Sequence, residues 1–419
     1  MTLNRHAATL AALVVALLAP CTAAAQDRPA LESAAAAILI DARDGAVILQ
    51  KNPGERRSIA STTKLMTALL TLEEADPGDV FRAAPYDALP IESKIDLGPG
   101  ERMRVDDLLE ALLLESANDA AATLAAGVSG SRTAFVEAMN ARAGELGLND
   151  TSYANPIGLD DPANYSTARD LASLTRRLLT NRRFARTVDL PSAELESGDR
   201  PRVVANRNNL IAAYDFVDGV KTGHTNTAGY VLVGAAGGRL GSEVISVVLG
   251  EPSEAARDAD TLALLRYGLA QFRRVKALDA DKPLATADVE HRDEKAKLVP
   301  AQDLLLVTRR GQKVTTRIDA PEEVEGELAA GEPVGSIQVL RAGRVVRRVE
   351  LVTAAEVPGA GPLRVIADEL GIVVLLLALG AGGGAVVLAG RARTRRRRDA
   401  ERAAKRRARQ SAEVPPETR

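Results

Sequence analysis

Three short clusters in this sequence combine hydroxyl, amine and amide side chains in a way that suits covalent acyl transfer. The first is Ser61-Thr62-Thr63-Lys64, and no other serine in the chain has a lysine three positions later. Residues three apart share one face of a helix, so the Lys64 amine can reach the Ser61 hydroxyl. An amine accepts a proton from a hydroxyl only when it is neutral, which burial or a nearby cation achieves by lowering its pKa. The neighbours Leu65 and Met66 are apolar and permit that burial. Ser116-Ala117-Asn118 adds a second hydroxyl to relay a proton and an amide to hold a carbonyl. Lys221-Thr222-Gly223 adds a cation and a hydroxyl for a carboxylate, beside a small residue that lets another backbone approach.

Taken singly, each cluster also fits an ordinary use: a helix start with a solvated lysine, an N-cap, a turn. Their conjunction, with 55 residues from Ser61 to Ser116 and 105 from Ser116 to Lys221, is far more specific. Other chemistries have little to work with. Beyond Gln26 the only histidines are His224 and His291, and the single cysteine is Cys21, so a His/Cys metal cluster is excluded by count. No G-x-S-x-G turn presents a serine to a histidine relay.

The elements that must position these residues follow from periodicity. At 419 residues and 46% hydrophobic, the chain has room for two or three domains. Ala36 to Leu49 predicts two strands around the Asp44-Gly45 turn. Ser61 to Glu74, Val105 to Glu115 and Asn118 to Ala126 carry apolar residues at helical spacing. Gly229 to Ala235 and Glu243 to Leu249 are β-branched and apolar, as neighbouring central strands are. The expectation is an α/β (α+β) domain over 26–275 with helices around a mainly antiparallel sheet. A small all-β domain is expected over 277–353, where short alternating runs such as Lys313 to Ile318 and Arg344 to Val352 are separated by turns. Glu356 to Pro362 lies in a Pro/Gly linker, 354–364.

With these motifs the chain resembles the penicillin-binding proteins and serine β-lactamases, and most closely the low-molecular-mass D-alanyl-D-alanine carboxypeptidases. The likeness extends through Ala60 to Thr67, Asn155 to Leu159, Tyr165 to Asp170 and Asp218 to Thr225. It covers about residues 35 to 275, and 277–353 looks like the family's C-terminal β domain. The resemblance implies a β-lactamase/transpeptidase-like fold with Ser61 as acyl-ester nucleophile and Lys64 as its general base. Ser116 would pass a proton to the leaving D-alanine, Asn118 would orient the peptide, and Lys221 and Thr222, with Gly223 beside them, would hold its terminal carboxylate. The backbone N–H groups of Ser61 and His224 would form the oxyanion hole.

The implied partners are peptidoglycan stem peptides ending in D-Ala-D-Ala, with β-lactam antibiotics as inhibitors; no metal, cofactor or nucleic acid is implied. Relatives often carry an arginine shortly before the last central strand, where this chain has Glu243, and Arg239 is the expected substitute. The alternatives are a D,D-endopeptidase, a weak β-lactamase, or a catalytically silent wall-binding scaffold. No glutamate occurs between Glu145 and Glu194, which speaks against the deacylating glutamate of class A β-lactamases. Three intact motifs speak against a silent scaffold.

The two ends read as topology. Arg5 and His6 precede the apolar run Ala7 to Ala19, and Ala23-Ala24-Ala25 follows, so 1–25 is expected to be a secretory signal. Leu18-Ala19-Pro20-Cys21 departs from a lipoprotein box by its proline. Leu370 to Ala389 is uncharged and about one bilayer core long, giving an expected transmembrane helix over 366–390 that contacts membrane lipid. The tail 391–419 holds 12 Lys/Arg against 4 Asp/Glu. By the positive-inside rule it is expected in the cytoplasm, with the catalytic domain outside the membrane.

Overall fold

The computed structural model of the protein describes residues 28–410, the side chains of 363, 366–369, 372, 375, 378 and 408–410 excepted. The expected signal segment 1–25, with Cys21, lies outside the described residues. The chain divides into two compact units, one up to Arg274 and one from Val275.

The first unit is built on a five-stranded sheet of β1 (Ala36–Asp41), β2 (Val47–Lys51), β3 (Val217–Thr225), β4 (Gly229–Gly237) and β5 (Glu243–Glu251). Its spatial order is β2-β1-β5-β4-β3, and every pairing is antiparallel. The predicted hairpin over Ala36 to Leu49 is present, with Gly45 at φ +73 in its turn. The inner strands read as unbroken apolar runs because both faces are covered. On β5, Ile245, Val247 and Leu249 join the helical core, while Val244 and Ser246 meet the helix Glu254–Ala270. All six residues of β1 are buried.

The helical side carries the site. A 3-10 turn, Ala60–Thr63, runs into α1 (Lys64–Glu74), so the predicted helix from Ser61 changes pitch after its first turn. The predicted helix Val105 to Glu115 is α-helical through Glu110 and then widens to a π-turn, Ala111–Glu115. Ser116, at φ 65 and ψ 30, ends that turn, and α2 (Asn118–Ser129) follows at once. Alanines at 120, 121, 122 and 125 of α2 are fully buried and let neighbouring helices pack closely around Leu65, Met66, Leu108, Leu112 and Phe135.

The second unit is all-β up to Thr353. Its six-stranded sheet places Val314–Asp319, Pro333–Arg341, Arg344–Thr353, Lys295–Pro300, Ala285–Val289 and Glu323–Val324 side by side. Leu298, Ile337, Val339 and Leu351 form its buried centre. A long helix, Pro362–Gln410, follows and contains the expected span Leu370 to Ala389. Among the described residues no helix is long and apolar enough to cross a membrane.

Candidate active site

Lys64 lies at the junction of the 3-10 turn and α1 and is fully buried, although lysine is among the residues least often found inside. Its Nζ lies 3.1 Å from Ser61 Oγ, and it donates to Asn118 Oδ1 at 2.7 Å and to the Ile157 carbonyl at 2.7 Å. Burial, reinforced by the charge of Lys221, holds this amine well below its ordinary pKa, against the opposing pull of Glu92 and Asp119. A neutral amine has two N–H donors and one lone pair. The two obligate acceptors, Asn118 Oδ1 and the Ile157 carbonyl, take the donors, so the lone pair is left for the Ser61 hydroxyl.

Local chemistry holds Ser61 in place. Ala60, just before it, has φ 45, and Ser116 has φ 65, both uncommon for residues with a side chain. Asn155 Oδ1 accepts from the N–H groups of Ile157, Gly158 and Leu159, curling that segment so that the Ile157 carbonyl meets Lys64. Gly158 then passes under the 3-10 turn, where a Cβ would stand 2.1 Å from the Ala60 carbonyl oxygen. Thr63 Oγ1 accepts from Asn164 Nδ2, and Thr67 donates to the Pro156 carbonyl, tying the same two segments together.

Ser116 is 6% exposed, and its hydroxyl has no hydrogen-bond partner among the described residues, so it is free to handle a proton. The Lys221-Thr222-Gly223 motif lies on β3, an edge strand paired only with β4. Its other edge is therefore open to an extended peptide. Gly223 runs so close to the nucleophile that a Cβ there would lie 2.9 Å from the Ser61 nitrogen and 3.1 Å from Ala60 Cβ. Lys221 is 1% exposed, and burial, aided by the nearby cation Arg207, lowers its pKa to about 7. Thr222 is buried, while His224 is exposed and its ring stacks on Tyr230 at 4.0 Å, turned to β4.

Four residues absent from the sequence reading complete the surroundings. Glu92 Oε2 accepts from Asn118 Nδ2 at 2.6 Å and from the Tyr86 hydroxyl. Arg207 and Arg257 both act electrostatically on Lys221. Arg257, on the helix Glu254–Ala270, is 3% exposed and donates to Glu254 and Asp258. This corrects the expectation for Arg239: it sits in the β4–β5 turn, past the Val217 end of the sheet, where Gly237 bonds the Phe216 carbonyl. Glu243 pairs with Gly237 at that same end. No short motif marks Glu92 or Tyr86, and Arg257 stands 36 positions beyond Lys221.

The profile described as D-alanyl-D-alanine carboxypeptidase matches residues 22–253, more than half of the chain. The chain belongs to the D-alanyl-D-alanine carboxypeptidase family. The second unit matches the C-terminal domain of penicillin-binding protein 5 over residues 272–359. A curated relative, D-alanyl-D-alanine carboxypeptidase DacF of Bacillus subtilis, is 31% identical over 349 residues, covering 81% of this chain and 89% of that protein. DacA of Escherichia coli K12 is 31% identical over 338 residues, 77% and 83% of the two chains. Among solved structures, penicillin binding protein 5 from Haemophilus influenzae is 29% identical with a TM-score of 0.56, over 78% of this chain and 98% of that one. The Streptomyces K15 DD-transpeptidase, at 30% identity and TM-score 0.54, covers 57% of this chain and is itself matched over 97% of its length.

Proposed function

We propose that this carboxypeptidase removes the terminal D-alanine from peptidoglycan stem peptides ending in D-Ala-D-Ala through a Ser61 acyl-enzyme, and that β-lactams acylate the same serine. The observation that carries the reading is the fully buried Lys64 amine, which bonds Asn118 Oδ1 and the Ile157 carbonyl at 2.7 Å each and stands 3.1 Å from Ser61 Oγ.

The peptide lies along the open edge of β3 with its carboxylate toward Lys221, Thr222, Arg207 and Arg257. Lys64 takes the Ser61 proton as Oγ bonds to the carbonyl carbon of the penultimate D-alanine, and the carbonyl oxygen becomes an oxyanion. The N–H groups of Ser61 and His224 face that charge. Collapse breaks the peptide bond, and the departing nitrogen takes a proton by way of Ser116, leaving free D-alanine and a Ser61 ester. Water, deprotonated by the same groups, then cleaves the ester and restores Ser61. Asn118 holds both Lys64 and the substrate backbone.

The partly exposed apolar residues of the helix Pro362–Gln410, followed by the arginines from Arg391, support membrane anchoring through 366–390. With a cleaved signal at 1–25, the catalytic domain would work on the extracytoplasmic side and the tail would stay in the cytoplasm.

The test is labelling of the full chain with a fluorescent penicillin, together with D-alanine release from a pentapeptide ending in D-Ala-D-Ala. Wild type is expected to show both and Ser61→Ala neither. Labelling without release would end the carboxypeptidase reading and favour a scaffold or an endopeptidase; labelling that survives Ser61→Ala would end the assignment of the nucleophile.

A further inference from the structure

Asn118 can face Lys64 in two ways. With Oδ1 toward the amine it accepts a hydrogen bond; with Nδ2 toward the amine it would set donor against donor and turn the Lys64 lone pair away from Ser61. The choice between them is made from the other side of the amide. Glu92 Oε2 lies 2.6 Å from Asn118 Nδ2, and an ionised carboxylate only accepts hydrogen bonds. Glu92 is itself held: the Tyr86 hydroxyl donates to Oε2, and the Leu89 N–H donates to Oε1 at 3.1 Å. The Asn118 N–H bonds the Ser93 carbonyl at 2.8 Å, fixing the same loop to the start of α2.

We infer that Glu92 is a positioning residue for acylation: through the Asn118 amide it orients the Lys64 amine so that its lone pair stays on the Ser61 hydroxyl. The inference rests on the proposed Ser61 chemistry and extends it to a loop that carries none of the three motifs. Burial works against ionisation of Glu92, but the hydrogen bonds from Tyr86, Asn118 and Leu89 outweigh it and keep the carboxyl below its usual range. The Tyr86 phenol is held above its ordinary pKa by burial and by Glu92, so it stays a donor. The charged groups around Lys64 are Lys221 on β3, Glu92 on the loop and Asp119 on α2, and Arg132 faces Tyr86. Of these, Glu92 and Asp119 favour the protonated amine and Lys221 opposes it. Glu92 therefore has two separable effects, one on geometry and one on charge.

The experiment measures the second-order rate of acylation of the full chain by fluorescent penicillin from pH 5 to 10, in wild type, Glu92→Ala, Glu92→Gln and Tyr86→Phe. Glu92→Ala frees the amide to flip and is expected to lower the plateau rate about 10- to 100-fold. Glu92→Gln keeps an acceptor for Asn118 but removes the charge, so its plateau should stay within a few-fold of wild type while its acid limb moves to lower pH. Tyr86→Phe should fall between wild type and Glu92→Ala. A loop with a merely structural role would lower the yield of folded protein without moving the acid limb of the folded fraction. An acid limb unmoved in Glu92→Gln, together with a plateau in Glu92→Ala within twofold of wild type, would overturn the inference. Should Glu92→Ala not fold, the Glu92→Gln and Tyr86→Phe profiles decide it. Absence of labelling in wild type would instead refute the Ser61 reading itself.

Discussion

Lys64 and Lys221 are buried in one site, 0% and 1% exposed, and the charge on Lys221 adds to burial in lowering the proton affinity of Lys64. Two lysines in one low-dielectric cleft repel each other when both are charged, so protonation of either is disfavoured by the other. The arrangement suits a division of labour: one amine neutral for base catalysis, the other cationic for a carboxylate once substrate arrives.

Removing the base should cost most at the acylation step. Lys64→Met is expected to lower the rate of penicillin acylation by about 10²–10⁴-fold while leaving the circular dichroism spectrum unchanged. Lys221→Met removes the cation that depresses Lys64, so the residual acylation should show an acid limb moved to higher pH. Stopped-flow labelling across pH reads both effects, and an unmoved limb in Lys221→Met would disprove the coupling between the two lysines.

Lys221 also makes stability depend on pH with a defined sign. Its pKa falls from 10.5 to about 7 on folding, chiefly through burial and then through Arg207. Between these values the unfolded chain binds more protons than the folded one, so stability rises with pH across the window 7 to 10.5. Lys221→Met removes this contribution. The variant is expected to be more stable than wild type at pH 7, by roughly 1–4 kcal/mol, with the advantage shrinking toward pH 10.5. Thermal melts of both proteins at pH 7 and pH 10 measure the difference.

Gly158 tests how tightly the nucleophile is seated. At φ +99, with the Ala60 carbonyl oxygen 2.1 Å from where a Cβ would stand, the position accepts no side chain unless the 3-10 turn moves. Gly158→Ala should destabilise the protein by about 2–4 kcal/mol and reduce acylation in the folded fraction, because displacing Ala60 displaces Ser61. Labelling at wild-type rate in a folded Gly158→Ala protein would mean that the turn yields without cost.

A buried ion pair braces the loop that carries Glu92. Arg202 donates to both oxygens of Glu101, at 2.7 and 2.9 Å, and also to the carbonyls of Ile95 and Asp96. Burial alone would raise the Glu101 pKa, but Arg202 and the Gly98 and Asp199 N–H groups hold it at about 2. A carboxyl with a depressed folded pKa stabilises above its unfolded value of 4.5 and loses that contribution as pH falls toward 2. Arg202→Ala leaves Glu101 buried and unpaired and is expected to cost about 3–5 kcal/mol at neutral pH. Urea denaturation at pH 7 and pH 3 should show the cost shrinking at the lower pH.

Much of the site could be read before any fold was known. Ser61 and Lys64 are three positions apart, a separation that one helical turn closes, and Ser116 and Asn118 flank a single helix start. Such short-range relations survive in the linear order because local backbone geometry is nearly the same in every protein. The apolar runs likewise disclosed the hairpin and central strands of the first unit, and short alternating runs the all-β character of the second.

What the linear order by itself determined, then, is which groups are available and how the local turns present them. Tertiary structure alone decided the state of those groups. The acceptors that occupy Lys64, Asn118 and Ile157, stand 54 and 93 positions away along the chain. Glu92 reaches Asn118 across 26 positions, and the cations acting on Lys221 are Arg207 and Arg257, 14 positions before it and 36 after it. Burial and electrostatic field are sums over neighbours from distant segments, and a proton's affinity for an amine depends on that sum more than on the residues adjoining it in the chain.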